Sequence, residues 1–214
     1  MQFDAELGWV ATPRTVYKGG DIVYRTNRAG MRAEKDYPVT ASAGTRRIAA
    51  FGDSFTYCEE VDFTDCWTHE LEREWANAEV LNFGVPGYGP DQAWLRYQRD
   101  GVAYRPCAVL IGYMVENINR VVNRFRPFYE PAGDLFASKP RYVLEGNALR
   151  LLANPAESSE DLMDPYWVEE NLGPDDRWYF PGTFVPHPLD DLLLVRMLRT
   201  AVYARRASQL GFTT

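Results

Sequence analysis

The chain has 214 residues, 46% of them hydrophobic, enough to bury the core of one α/β domain, and no shift in composition marks a second domain. Lys and Arg number 23 against 30 Asp and Glu, and the formal charge of −7 argues against nucleic acid or an anionic membrane surface as a main partner. Cys58, Cys66 and Cys107 are odd in number and lack metal-type spacing, and the two histidines, His69 and His187, lie far apart. Reduced, partly buried thiols are therefore expected, with no metal and no cofactor.

No apolar stretch approaches the roughly 20 residues of a membrane span. Met1-Gln2-Phe3-Asp4-Ala5-Glu6 is acidic and polar, unlike a secretory signal, so a cytoplasmic location is expected if this is the authentic amino end. A trimmed start would have removed any export signal or anchor. Residues 1–45 form a preamble punctuated by Gly and Pro, with a turn expected at Asn27 to Gly30.

Residues 46–119 carry the pattern of a core. The apolar run from Ile48 to Phe51 reads as a buried strand that stops in Gly52-Asp53-Ser54. Asp53 is suited to cap the next helix, and Ser54 would present its hydroxyl at the strand-to-helix bend, the edge of an open α/β sheet where ligands bind. Taken alone, the tripeptide is also ordinary turn chemistry. From Thr64 to Ala76, Trp67, Leu71 and Trp75 recur at helical spacing, which places His69 on an exposed helix face.

A second strand, Val80 to Phe83, leads into Gly84-Val85-Pro86-Gly87-Tyr88-Gly89-Pro90. A helix is expected from Pro90-Asp91 to about Gly101, since proline is tolerated in the first helical turn. A third strand, Val109 to Met114, runs into Val115-Glu116-Asn117-Ile118-Asn119. Alternation of strand and helix is the signature of a parallel sheet with helices packed on its faces.

Residues 120–188 are interleaved with proline and aromatic residues, too aromatic for a disordered linker. They read as an insertion whose aromatics either line an acyl or sugar pocket or form an accessory core. Within it, Arg141 to Leu144 and Ala148 to Leu151 flank Glu145-Gly146-Asn147, a hairpin signal. The arginines at 120, 124 and 126, and those at 196, 199, 205 and 206, read as solvated helix faces, with a bound acidic group as the alternative. Residues 189–211 suggest one amphipathic helix, opened by Asp190 and Asp191.

Gly52-Asp53-Ser54, Asn82-Phe83-Gly84-Val85-Pro86-Gly87 and Gly112 to Asn117 together resemble three motif blocks of the SGNH hydrolases, the GDSL esterase and lipase family. Leu7-Gly8-Trp9-Val10 and Tyr24 to Arg32 are similar to the preamble of one bacterial branch, so the resemblance covers most of residues 1–190. It implies a flavodoxin-like three-layer α/β sandwich around a parallel sheet. It also implies a serine hydrolase that cleaves a carboxylic ester, on a small molecule or a glycan.

In that reading Ser54 is the nucleophile, and Ser54 N–H, Gly87 N–H and the Asn117 amide form the oxyanion hole. The third block departs from the family's Gly-x-Asn-Asp, because Ile118 follows Asn117 and two extra residues separate it from Gly112; Asn119 is the competing asparagine. The family's late Asp-x-x-His block has no clear counterpart. His187 lies in a His-Pro pair, but Phe184 stands where the aspartate belongs, so a proline-rich connection explains it better than a base does.

The chain ends at Gln209-Leu210-Gly211-Phe212-Thr213-Thr214 with no further strand, as expected of a fragment lacking that block. Alternatives are a carbohydrate O-acyltransferase, a binding remnant without a base, and a nucleotide-binding domain using Gly84 to Gly89 as a phosphate loop. The glycine spacing is wrong for the last of these.

Overall fold

The computed structural model describes residues 1–182 and 184–209, without the side chains of 206, 207 and 209. The preamble is built of two antiparallel hairpins, β1 (Gln2–Asp4) with β2 (Gly8–Val10) and β3 (Val16–Gly19) with β4 (Ile22–Arg25). The turn expected at Asn27 is present, with Gly30 N–H donating to Asn27 O at 3.0 Å. From there the chain reaches the central sheet through Arg32 N–H, which donates to Asn82 O at 3.1 Å.

That sheet has three parallel strands in the order β6-β5-β7: β5 (Arg46–Phe51) in the middle, β6 (Ala78–Asn82) on one side and β7 (Ala108–Ile111) on the other. Ile48 to Phe51 are buried, as an uninterrupted apolar run in a central parallel strand requires. Phe51 and Phe83 stack at 4.8 Å in a core that also holds Ala49, Leu81, Met31, Ala33, Tyr37 and Ala93. Each fully buried phenylalanine contributes about 1.5–3 kcal/mol. The molecule is thus a mixed α/β fold.

The third strand is shorter than its apolar run. Gly112 N–H donates to Phe51 O, the last carbonyl of β5, so pairing stops where β5 turns away, and Tyr113 is left exposed. After β6 the chain forms α3 (Pro90–Arg96), which continues as a wider π turn through Tyr97–Gly101 and so ends where expected. Before it stand α1 (Ser54–Tyr57) and α2 (Trp67–Glu74). Trp67 and Trp75 are both partly exposed, so their helical spacing does not mark a fully buried stripe, and His69 sits beside the Phe63 ring at 4.7 Å.

Two cysteines are not free. Cys58 and Cys66 are joined by a disulfide with their Cα atoms 5.4 Å apart, which corrects the expectation of reduced thiols; Cys107 is free and exposed. Cys58 adopts a left-handed conformation (φ 61°) at the end of α1, and Cys66 caps α2, so the bridge fastens these helices together. Disulfides persist mainly in oxidising compartments, which sits poorly with a cytoplasmic location. Replacing both cysteines with serine is expected to cost about 2.5 kcal/mol, the chain-entropy value for so short a loop. Urea unfolding of the variant beside the oxidised wild type measures this.

After β7 come α4 (Asn117–Val121) and α5 (Arg126–Tyr129), then the hairpin of β8 (Arg141–Glu145) and β9 (Ala148–Leu152) with Gly146-Asn147 at its tip. α6 (Pro165–Leu172) follows, and α7 (Leu193–Gln209) is last. Phe125, Phe128, Leu162, Val168, Leu172 and Trp178 form a second core, one of the two alternatives expected for these aromatics. Among the described residues no helix is long and apolar enough to cross a membrane, and no group of three or more His, Cys, Asp or Glu could hold a metal ion.

The arginines of this region are not a solvated face. Arg124 and Arg126 are both 4% exposed. Arg124 donates to Ala153 O at 2.6 Å, and Arg126 pairs with Glu130 at 2.6 Å. The reason is Asp176, whose carboxylate accepts from the backbone N–H groups of Arg124, Phe125 and Trp178 and draws the segment inward. Asp190 and Asp191 precede α7 rather than opening it: Asp190 accepts from His187 N–H and pairs with Arg199.

Candidate active site

Ser54 is the first residue of α1, at the carboxyl end of the central strand. Asp53 caps that helix as its sequence position suggested, accepting from Phe55 N–H at 3.1 Å. The main chain binds the neighbouring strand ends to this turn. Phe83 N–H donates to Ala50 O at 2.8 Å, Val85 N–H to Gly52 O at 2.9 Å, and Gly112 N–H to Phe51 O at 2.8 Å.

One glycine follows each strand, and together the three make a seat for α1. A Cβ on Gly52 would lie 2.2 Å from Thr56 Oγ1, one on Gly112 2.3 Å from the same atom, and one on Gly84 2.3 Å from Tyr57 N. No side chain fits in those gaps, so the serine's helix can approach the sheet only because Phe51, Phe83 and Ile111 are each followed by glycine. That repetition, Phe-Gly, Phe-Gly, Ile-Gly, is the signal that motif reading passes over.

Asp53 is also the hub of the site. It is 3% exposed, and its Oδ2 accepts from Asn117 Nδ2 at 3.0 Å and from Arg120 Nη1 at 3.1 Å. Asn117 is itself 1% exposed and accepts from Met114 N–H through Oδ1 at 2.8 Å. One of its two amide hydrogens is therefore committed to Asp53, and the second is left for another acceptor. Asn119, the competing asparagine, offers its backbone carbonyl to Trp178 Nε1.

Sequence reasoning missed Arg120. Its guanidinium also donates to Tyr88 O at 3.1 Å, so one side chain spans the turn of Ser54 and the loop of Gly87. It was hidden by grouping with Arg124 and Arg126, and only the three-dimensional meeting of α4 with Asp53 reveals its use. Asn82 was read only as the start of a motif. It is 1% exposed, donates to Thr56 O at 2.7 Å and accepts from Gly84 N–H at 2.9 Å, so it locks the second strand end to α1.

Gly87 has φ +82° and lies between Trp9 and Leu135: a Cβ there would come within 2.7 Å of Leu135 Cδ2. The preamble holds this loop. Trp9 Nε1 donates to Pro86 O at 2.9 Å, Tyr88 OH to Trp9 O at 2.6 Å, and Gln92 Nε2 to Leu7 O at 2.7 Å. The segment Leu7 to Val10 thus buttresses the glycine loop. Burial raises the Tyr88 phenol well above its ordinary pKa, so it remains a hydrogen-bond donor.

A cleft of about 390 Å³ opens beside Ser54, lined by Asp53, Phe55, Thr56, Trp67, Gly112, Tyr113 and Met114. It is largely apolar, and Ser54, between two of its lining residues, is only partly buried. His187 stands in an exposed turn where its Nδ1 accepts from Leu189 N–H at 3.1 Å. Its backbone N–H donates to Asp190 Oδ2 at 2.7 Å, so the ring and main chain of His187 close a local turn within the proline-rich connection.

No protein-family description matches the chain, and no curated protein matches it. Among solved structures, the esterase AlinE4 in a serine-to-alanine mutant form aligns at TM-score 0.30 and 15% identity over 81% of this chain and 100% of that one. A crystal structure of AlinE4, described as an SGNH-hydrolase family esterase, aligns at TM-score 0.28 and 17% identity over 79% and 99%. A likeness at this level carries no argument about what the chain does.

Proposed function

We propose that this chain is a serine hydrolase of the SGNH type that cleaves a carboxylic ester, with Ser54 as nucleophile. The observation that carries the reading is the hydrogen bond from Asn117 to Asp53, which ties the loop of the third strand to the turn that bears the serine. Ser54 Oγ adds to the ester carbonyl as its proton passes to solvent water, and the carbonyl oxygen takes up the negative charge of the tetrahedral intermediate. Collapse of that intermediate breaks the carbon–alkoxy bond, the alcohol leaves with a proton from water, and a second water hydrolyses the acyl-Ser54 ester. Ser54 N–H, Gly87 N–H and the second amide hydrogen of Asn117 are the donors assigned to that charge, each worth about 10²–10³ in rate. A neutral amide suits the role because it donates at every pH and adds no charge of its own.

A fluorophosphonate probe tests this directly. Wild type should be labelled stoichiometrically and Ser54→Ala not at all, with both proteins giving the same circular dichroism spectrum. Labelling that persists in Ser54→Ala would place the nucleophile elsewhere, and a folded wild type that resists the probe would end the reading. Transfer of the acyl group to a glycan hydroxyl instead of water would appear as an acylated sugar when an acceptor is supplied.

A further inference from the structure

The insertion encloses a second cavity, of about 430 Å³, walled by aromatic rings that include Phe128, Phe136, Trp178 and Phe184, and closed on one side by Thr200 and Tyr203 of α7. Its rings brace one another: Phe128 and Phe184 meet edge to face at 5.1 Å, and Phe180 meets Tyr203 at 5.7 Å. The volume falls in the range of small-molecule sites, roughly 300–1,000 Å³. Arg199 also reaches the wall, but its guanidinium is already satisfied by the Asp190 carboxylate and by the carbonyls of Gly182 and Val185. Among the described residues the lining therefore offers no uncompensated charge to an anionic ligand. Among the described residues, apart from backbone, that spent guanidinium and the Trp178 indole N–H, which donates to Asn119 O, its polar groups are two hydroxyls, too few for the ring of hydroxyls on a sugar.

The cavity is linked to the proposed catalytic loop by one stretch of chain. Pro131, Gly133 and Phe136 line it, and Leu135, from the same stretch of chain, is the residue packed on Gly87. We propose that this cavity binds a linear alkyl chain, the acyl portion of a medium-chain ester. The identification of that chain as acyl rests on the esterase reading; the alkyl specificity rests on the lining alone.

The test uses 1-butanol, 1-hexanol and 1-octanol as probes, titrated against the intact chain while tryptophan fluorescence is followed. Binding should be saturable, tighten about fourfold per added methylene, persist in Ser54→Ala, and be lost in Thr200→Trp, which fills the mouth from an exposed position on α7. Absence of saturation, affinity independent of chain length, or binding untouched by Thr200→Trp would overturn the proposal. Saturable binding of a chito-oligosaccharide that Thr200→Trp abolishes would overturn it too, by making the site one for sugar. Alkanol binding without fluorophosphonate labelling of Ser54 sinks the esterase reading and leaves the alkyl site standing; labelling without alkanol binding does the reverse.

Discussion

Lys139→Met is expected to destabilise the protein by about 3–5 kcal/mol, the usual consequence of removing one member of a buried ion pair. Lys139 is 1% exposed and pairs with Asp91, whose side chain is 3% exposed. Burial holds the Lys139 ammonium below its ordinary pKa even though Asp91 opposes the shift. Without the ammonium, Asp91 would be an anion in an apolar setting, with Oδ1 already lacking a hydrogen-bond partner.

The pair has a position that matters. Asp91 opens α3, directly after the loop of Gly87, while Lys139 belongs to the segment leading into β8, so the bond pins that loop to the insertion. The double variant Asp91→Leu, Lys139→Met should recover most of the lost stability, because a well-packed apolar pair often equals a buried ion pair. Chemical denaturation of wild type, both single variants and the double variant closes the cycle. A single variant as stable as wild type would mean that water already reaches the pair.

The elements governed by local chemistry were legible in the sequence. The buried strand at Ile48 to Phe51, the helix beginning at Pro90 and the hairpin around Gly146-Asn147 each follow from a short window of apolar pattern and turn residues, and each is present. What escaped notice depends on partners far apart in the chain. Arg120 lies 67 residues from Asp53, and Lys139 lies 48 from Asp91. Charge patterning within a short window of sequence assigns such side chains to solvent, and only the fold brings their partners to them. The Cys58 to Cys66 bridge was concealed differently, since an odd cysteine count gives no pairing until the left-handed turn at Cys58 aims one thiol at the other. Within the candidate site, residue identities were readable from the motif blocks, but the hydrogen-bonding hub at Asp53 was not.

That hub supplies the sharpest test of the site. Asp53→Ala removes the acceptor shared by Phe55 N–H, Asn117 and Arg120, leaving a largely buried guanidinium with only Tyr88 O among its contacts here. The expected loss is about 3 kcal/mol of stability. Fluorophosphonate labelling of Ser54 should also slow by about 10², the worth of one oxyanion donor, because Asn117 would no longer be held in orientation. A second variant separates the two effects. Asp53→Leu with Arg120→Met restores apolar packing and should regain stability, yet it cannot orient Asn117, so labelling should stay slow. Labelling at the wild-type rate in a folded Asp53→Ala protein would show that Asn117 has no part in stabilising the oxyanion, and the hydrogen bond to Asp53 would then be a structural tie alone.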